Sequence, residues 1–108
     1  MACKILLTEF AERDMQSICD YFSVNQQENR IESFHVQMEN VFRRIALDPE
    51  VGSWPEELLK MGILDYREIY SHPYRVFYQY ENNAAEILLI VDAHRDLEML
   101  LETRILMS

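Results

Sequence analysis

Arg67 and Arg75 stand in a stretch that also holds Tyr66, Tyr70 and His72, with His94 farther on. A guanidinium stabilises negative charge developing on a phosphate, and a His or Tyr side chain moves a proton. Such a set suits RNA cleavage by attack of a 2′-hydroxyl on the adjacent phosphate. Residue types alone carry the idea no further. No Ser-His-Asp, Cys-His, HExxH, P-loop or paired-carboxylate arrangement accompanies them. Cys3, Cys19 and the three histidines share no ligand spacing, so neither a metal nor a cofactor is expected. The ordinary alternative for each arginine is a surface ion pair. For His72, in a turn beside Pro73, it is plain solvation.

The elements that must position these residues lie between 64 and 92. Residues 64–70 and 74–80 read as strands, the second dense in aromatic and β-branched side chains. Pro73 has no N–H for a ladder and belongs in the turn between them. Asn82-Asn83 suits a two-residue hairpin turn, because Asn tolerates positive φ. Residues 85–92 hold Ile87-Leu88-Leu89-Ile90-Val91, apolar on both faces as a central, covered strand is. If Tyr70 faces Tyr74, Arg67 lies opposite Phe77 and Ile69 opposite Arg75. Side-chain alternation then groups Arg67, Arg75, Phe77, Leu88 and Ile90 on one face. Val76, Tyr78, Ile87, Leu89 and Val91 form the other, which is cleanly apolar and is expected to meet the main core. A one-residue slip would exchange the faces of a strand.

Upstream, residues 2–7 read as a short strand, and Thr8 as the N-cap of a helix running to about Phe22, with Glu9 and Glu12 in its first turn. Asn25 is placed to cap a second helix. That helix carries Ile31, Phe34, Met38, Val41, Phe42 and Ile45 as an amphipathic stripe, best read as core. His35 flanks the stripe with no chemical task. Asp48-Pro49 ends the helix, since the residue before proline is pushed out of the α region. Pro55 opens one helical turn at most. Trp54, the only tryptophan, is read as a lid over the end of the core rather than as a binding anchor. A last helix is expected from Arg95 to about Met107.

The fold class is therefore α+β, β-α-α-β-β-β-α, a helical hairpin on a mostly antiparallel four-stranded sheet, with residues 1–108 as one domain. Strand one closes the sheet at an edge. The sheet's second face is covered only if the last helix folds back or a partner supplies the cover.

A chain of 108 residues buries roughly 60–70 % of its unfolded surface, enough for one core. A hydrophobic fraction of 49 % with only two glycines excludes disorder. No apolar run is long enough for a membrane span, and the opening MACKILLTEF is no secretory signal. The expected setting is cytoplasmic, with both thiols reduced. A net charge of −9 weighs against non-specific nucleic-acid binding, which needs clustered cations, and no direct sequence-specific DNA binding by this chain is expected. Lys4 and Lys60 are the only lysines, and arginine is the residue preferred for fork-like pairing.

The segments YREIYSHPYRVFYQY and EILLIVDAHRDLEMLLETRI, in this order of elements, resemble the RelE/ParE superfamily of toxins from bacterial type II toxin–antitoxin modules. The matching features are Arg67 on a strand, Tyr74-Arg75-Val76 with Tyr78 on the next, and a hydrophobic strand running into His94-Arg95-Asp96. Thr8, Ala11, Asp20-Tyr21 and Asp48-Pro49 fit as well, so the resemblance covers essentially the whole chain. It implies one of two activities. RelE-like members cleave mRNA on the ribosome with a cluster of basic residues and a late Tyr or His. Here that role would fall to Arg67, Arg75 and His94. ParE-like members have no reaction of their own and poison DNA gyrase. This chain has only Lys60 between Arg44 and Arg67, no Tyr after Tyr80 and no His after His94. The resemblance therefore favours the ParE-like branch, with no catalytic residue and with a cognate antitoxin and DNA gyrase as partners. Arg67, Arg75, Phe77 and Arg95 would be the target- or antitoxin-binding residues. The alternatives are the ribosome-dependent nuclease and a non-toxic binding module of the same fold. An apolar sheet face around Phe77, Leu88 and Ile90 would receive an antitoxin tail, with Arg67 and Arg75 pairing to its carboxylates.

Overall fold

Thr8 starts the first helix. Its backbone is extended, and its side chain accepts a hydrogen bond from the Ala11 N–H at 3.1 Å. The computed structural model describes residues 2–93 and 97–107. Their elements are β1 (Lys4–Leu7), α1 (Glu9–Val24), α2 (Asn29–Leu47), α3 (Glu56–Leu59), β2 (Arg67–Ser71), β3 (Tyr74–Glu81), β4 (Ala84–Asp92) and α4 (Glu98–Met107). Asn25 differs from its expected role. It closes α1, its Nδ2 donating to the Tyr21 carbonyl at 2.8 Å. Gln26 then takes a positive φ of 57°, and α2 begins only after Glu28, without a side-chain cap. Asp48 ends α2 as its proline neighbour dictates.

The sheet has the order β1-β4-β3-β2, with β1 parallel to β4 at one edge and the other pairs antiparallel. Asn82 and Asn83 make the tight β3–β4 turn at φ values of 53° and 60°. The β2–β3 turn differs from expectation by one residue. Ser71, not Tyr70, faces Tyr74, and the loop is His72-Pro73 alone. Arg67 therefore lies opposite Tyr78, and Ile69 opposite Val76. Because strand side chains alternate, the slip sends Arg67 and Arg75 to opposite faces. A bulge between Phe77 and Tyr78 accounts for a second difference. Phe77 pairs with Leu89 and Tyr78 with Ile87, which leaves Leu88 as the extra residue. Beyond it the faces of β4 exchange: Ile90 joins the helical side, while Leu89 and Val91 join the opposite one.

Both faces are covered. Phe34, Met38, Val41 and Ile45 of α2 pack with Ala11 and Phe22 of α1 on Ile69, Val76, Tyr78, Ile87 and Ile90. On the other side Leu58, Tyr66, Leu97 and Leu101 cover Phe77, Leu88, Leu89 and Val91. The last helix has folded back. Phe77 is 0 % exposed and Leu88 3 %, which overturns the expected open apolar face. Arg104 fastens α4 in place. Its Nη1 and Nη2 donate to the two carboxylate oxygens of Asp14, each at 2.8 Å, and Nη1 also reaches the Leu88 carbonyl at 3.2 Å. Asp14 accepts the Ile90 N–H as well. One clasp thus satisfies polar groups on the part of β4 that runs past the end of β1. Cys3 is buried and Cys19 half-buried, both as free thiols, and burial pushes the Cys19 thiol up.

Candidate functional site

Arg75 leaves β3 on the face away from the helical hairpin and meets two carboxylates. Its Nε and Nη2 donate to Glu68 at 2.7 and 2.8 Å, and its Nη1 and Nη2 donate to Glu57 at 2.7 and 2.9 Å. Glu68 comes from β2, and Glu57 from the first turn of α3. Both contacts are two-pronged, the strongest arrangement open to a guanidinium. The three side chains are only 14–22 % exposed, so solvent screens them little. Hydrogen bonds from Arg75 hold the Glu57 carboxyl below its ordinary range, and Glu57 and then Glu68 raise the Arg75 guanidinium. The cluster carries one positive and two negative charges. It opens into a shallow cleft shared with Ser53, Glu56, Tyr70 and Ala93, where a phosphate would meet net negative charge. Tyr70 bonds His72 Nδ1 at 2.8 Å on the exposed side of β2.

Arg67 is held differently. Its Nη1 donates to the Glu50 and Gly52 carbonyls at 3.1 and 2.9 Å, and its guanidinium lies 4.0 Å from the centroid of the Trp54 ring. The loop it grips is shaped from below by Tyr78. That buried hydroxyl donates to the Pro49 carbonyl at 2.7 Å and accepts the Gly52 N–H at 3.0 Å. A Cβ on Gly52 would stand 2.7 Å from the hydroxyl and 2.9 Å from the Glu68 carbonyl oxygen, so only glycine passes here. Ser53 and Glu68 exchange two backbone hydrogen bonds, which shields the outer edge of β2. Burial pushes the Tyr78 hydroxyl up. Tyr78→Phe leaves the Gly52 N–H and the Pro49 carbonyl unpaired. The expected loss is about 1–3 kcal/mol, a drop in melting temperature of roughly 5–15 °C with a change in Trp54 emission. A scan showing an unchanged midpoint would contradict this reading.

The structure thus separates the expected site residues. Arg67 sits at a loop-lined surface cleft, and Arg75 sits in a salt-bridge cluster. Phe77 lies in the core under α3 and α4, with Arg75 over its ring at 4.9 Å. His94 and Arg95 fall outside the described residues. Trp54 is 41 % exposed and serves as a shelf for Arg67 rather than as a lid. The roles of Glu57, Glu68 and the Asp14–Arg104 clasp do not emerge from the sequence. The Glu56-Glu57 pair after Pro55, and Glu68 beside Arg67, are the only sequence signals that point toward them.

The family model for the ParE toxin of type II toxin–antitoxin systems, parDE, matches residues 5–97. The chain belongs to the ParE toxin family. Among solved structures, the chromosomal ParDE toxin–antitoxin system from P. aeruginosa is similar at a TM-score of 0.67 and 14 % identity, over 84 % of this chain and 96 % of that one. That likeness supports the ParE-like fold. No curated protein matches in sequence. Two regions of this ParE-family chain differ chemically, the saturated Arg75 cluster and the Arg67–Trp54 cleft. Among the described residues no three His, Cys, Asp or Glu side chains could hold a metal ion, and no helix is long and apolar enough to cross a membrane.

Proposed function

We propose that this toxin acts by binding DNA gyrase and trapping its cleaved-DNA intermediate, and that a cognate antitoxin neutralises it. The observation that carries the reading is the state of Arg75. A nuclease would need this guanidinium free to meet a phosphate, yet Nε, Nη1 and Nη2 are all spent on Glu57 and Glu68. The net charge of −9 adds repulsion against a site built of ribosomal RNA. Arg67 and Arg95 remain the proposed recognition residues, while Arg75 and Phe77 serve by holding α3 and α4 on the sheet. The antitoxin meets the toxin outside the sheet face that α3 and α4 already fill.

The test is direct. The purified protein is expected to inhibit supercoiling by gyrase and to accumulate cleaved DNA, while mRNA on translating ribosomes stays intact. Adding the antitoxin restores supercoiling. Codon-dependent cuts in ribosome-bound mRNA, lost in Arg67→Ala, would place the chain with the nucleases instead.

A further inference from the structure

A cleft of about 460 Å³ lies between the loop at Glu50 and Trp54, the segment leading into β2, and the end of β3. Among its lining residues Trp54, Tyr80 and Leu64 are aromatic or apolar and open to water: Trp54 and Tyr80 are each 41 % exposed, and Leu64 59 %. Its other lining residues include Glu50, Asp65 and Glu81. Among the described residues none of these three carboxylates is in a salt bridge. Arg67 is the single cation among the lining residues, which together carry three negative charges and one positive charge. The carboxylates are not arranged to share a metal ion.

We propose that this cleft binds an arginine side chain presented by a basic, partly apolar segment of a partner protein. Charge complementarity selects the occupant. A phosphate or an acidic tail would enter a region of net negative charge, whereas a guanidinium neutralises it. The aromatic walls agree, because a guanidinium is attracted to the face of an indole or phenol ring. Arg67 on Trp54 shows within the same molecule that this surface takes a guanidinium. The Tyr80 ring at the other wall is the platform for the incoming one, and Leu64 meets an apolar neighbour on the partner. The negative charge of the whole chain draws basic segments toward the cleft. This goes beyond the proposed target, since the recognised chemistry is the same whichever protein carries the segment.

Trp54 is the only tryptophan, so its emission reports on this cleft alone. The probe is an acetylated, amidated Leu-Arg-Leu-Arg peptide titrated into the intact protein. A saturable change in emission is expected, weakening as salt is raised. The same peptide with citrulline for arginine should bind about tenfold more weakly, the scale of one cation–π contact plus charge pairing. Asp65→Asn with Glu81→Gln should weaken the arginine peptide to a similar degree at an unchanged unfolding midpoint, while Glu9→Gln, remote on α1, changes nothing. The proposal fails if no saturable change occurs, or if the citrulline peptide binds as well. It also fails if a Leu-Glu-Leu-Glu peptide or inorganic phosphate binds instead, which would mean that the cleft selects anions.

Discussion

Val76→Asp is expected to abolish the cooperative unfolding transition. Val76 is 0 % exposed at the middle of β3, opposite Ile69 on one side and Ile90 on the other. Its side chain faces the α1–α2 hairpin, where the buried cluster is apolar apart from the Tyr74 and Tyr78 hydroxyls and the Cys3 thiol, with the Cys19 thiol at its margin. A carboxylate there loses its hydration among apolar side chains and must either ionise at that cost or take up a proton. Either route costs about 4 kcal/mol or more, against a total stability of roughly 5–15 kcal/mol for a domain of this size. Denaturant titration followed by far-ultraviolet circular dichroism reads the outcome. Val36→Asp, on the 49 % exposed Val36 of α2, is the matched control and should stay within about 0.5 kcal/mol of wild type. A sharp transition near the wild-type midpoint for Val76→Asp would mean that this face of β3 does not lie against the helices.

The features legible in the sequence are those resting on local chemistry. Thr8 caps because a side-chain oxygen next to a helix start can accept one of the helix's first free N–H groups. Asp48-Pro49 stops α2 through sterics between neighbours. Asn82-Asn83 turns because Asn accepts positive φ. The sheet features that differ share one cause, the dependence of register on partners distant in sequence. Ser71 and Tyr70 are equally acceptable as the last residue of β2, and nothing beside them says which one faces Tyr74. The bulge at Leu88 is hidden because residues 87–91 are apolar throughout, so moving them between faces changes no local pattern. Both arginines stand out as residues of interest, but their faces and partners follow from that register. Hence strand alternation alone groups Arg67 with Phe77, although it belongs with Tyr78 and the loop around Gly52. The fate of the second sheet face is equally non-local, since it depends on Arg104 reaching Asp14 from the far end of the chain.

Arg75→Ala is expected to destabilise the protein by about 2–4 kcal/mol, somewhat below the cost of breaking a fully buried pair because the groups keep 14–22 % of their exposure. Removing the guanidinium leaves Glu57 and Glu68 facing each other without a cation. Glu57 then has reason to move away and to carry α3 with it. Leu58, its neighbour in that helix, is 0 % exposed in the cluster with Phe77 and Leu101, so part of the core opens as well. The pH dependence distinguishes this mechanism from simple loss of packing. In the wild type the Glu57 carboxyl is held below its ordinary value of 4.5. Its stabilising share is therefore complete above that value and is lost as pH falls through the lower, folded one. In Arg75→Ala that share is gone, and protonation relieves the repulsion between the carboxylates. The stability gap between the two proteins should thus be widest near about pH 7 and narrow toward about pH 3. Combining Arg75→Met with Glu57→Gln and Glu68→Gln should recover most of the loss, because a neutral replacement removes the uncompensated charge. Toxicity of Arg75→Ala should then follow its folded fraction, returning at lower temperature, whereas Arg67→Ala should lose toxicity while remaining folded. A gap in stability that is independent of pH would assign Arg75 a packing role over Phe77. A fully stable Arg75→Ala that has lost its toxicity would make Arg75 a recognition residue after all.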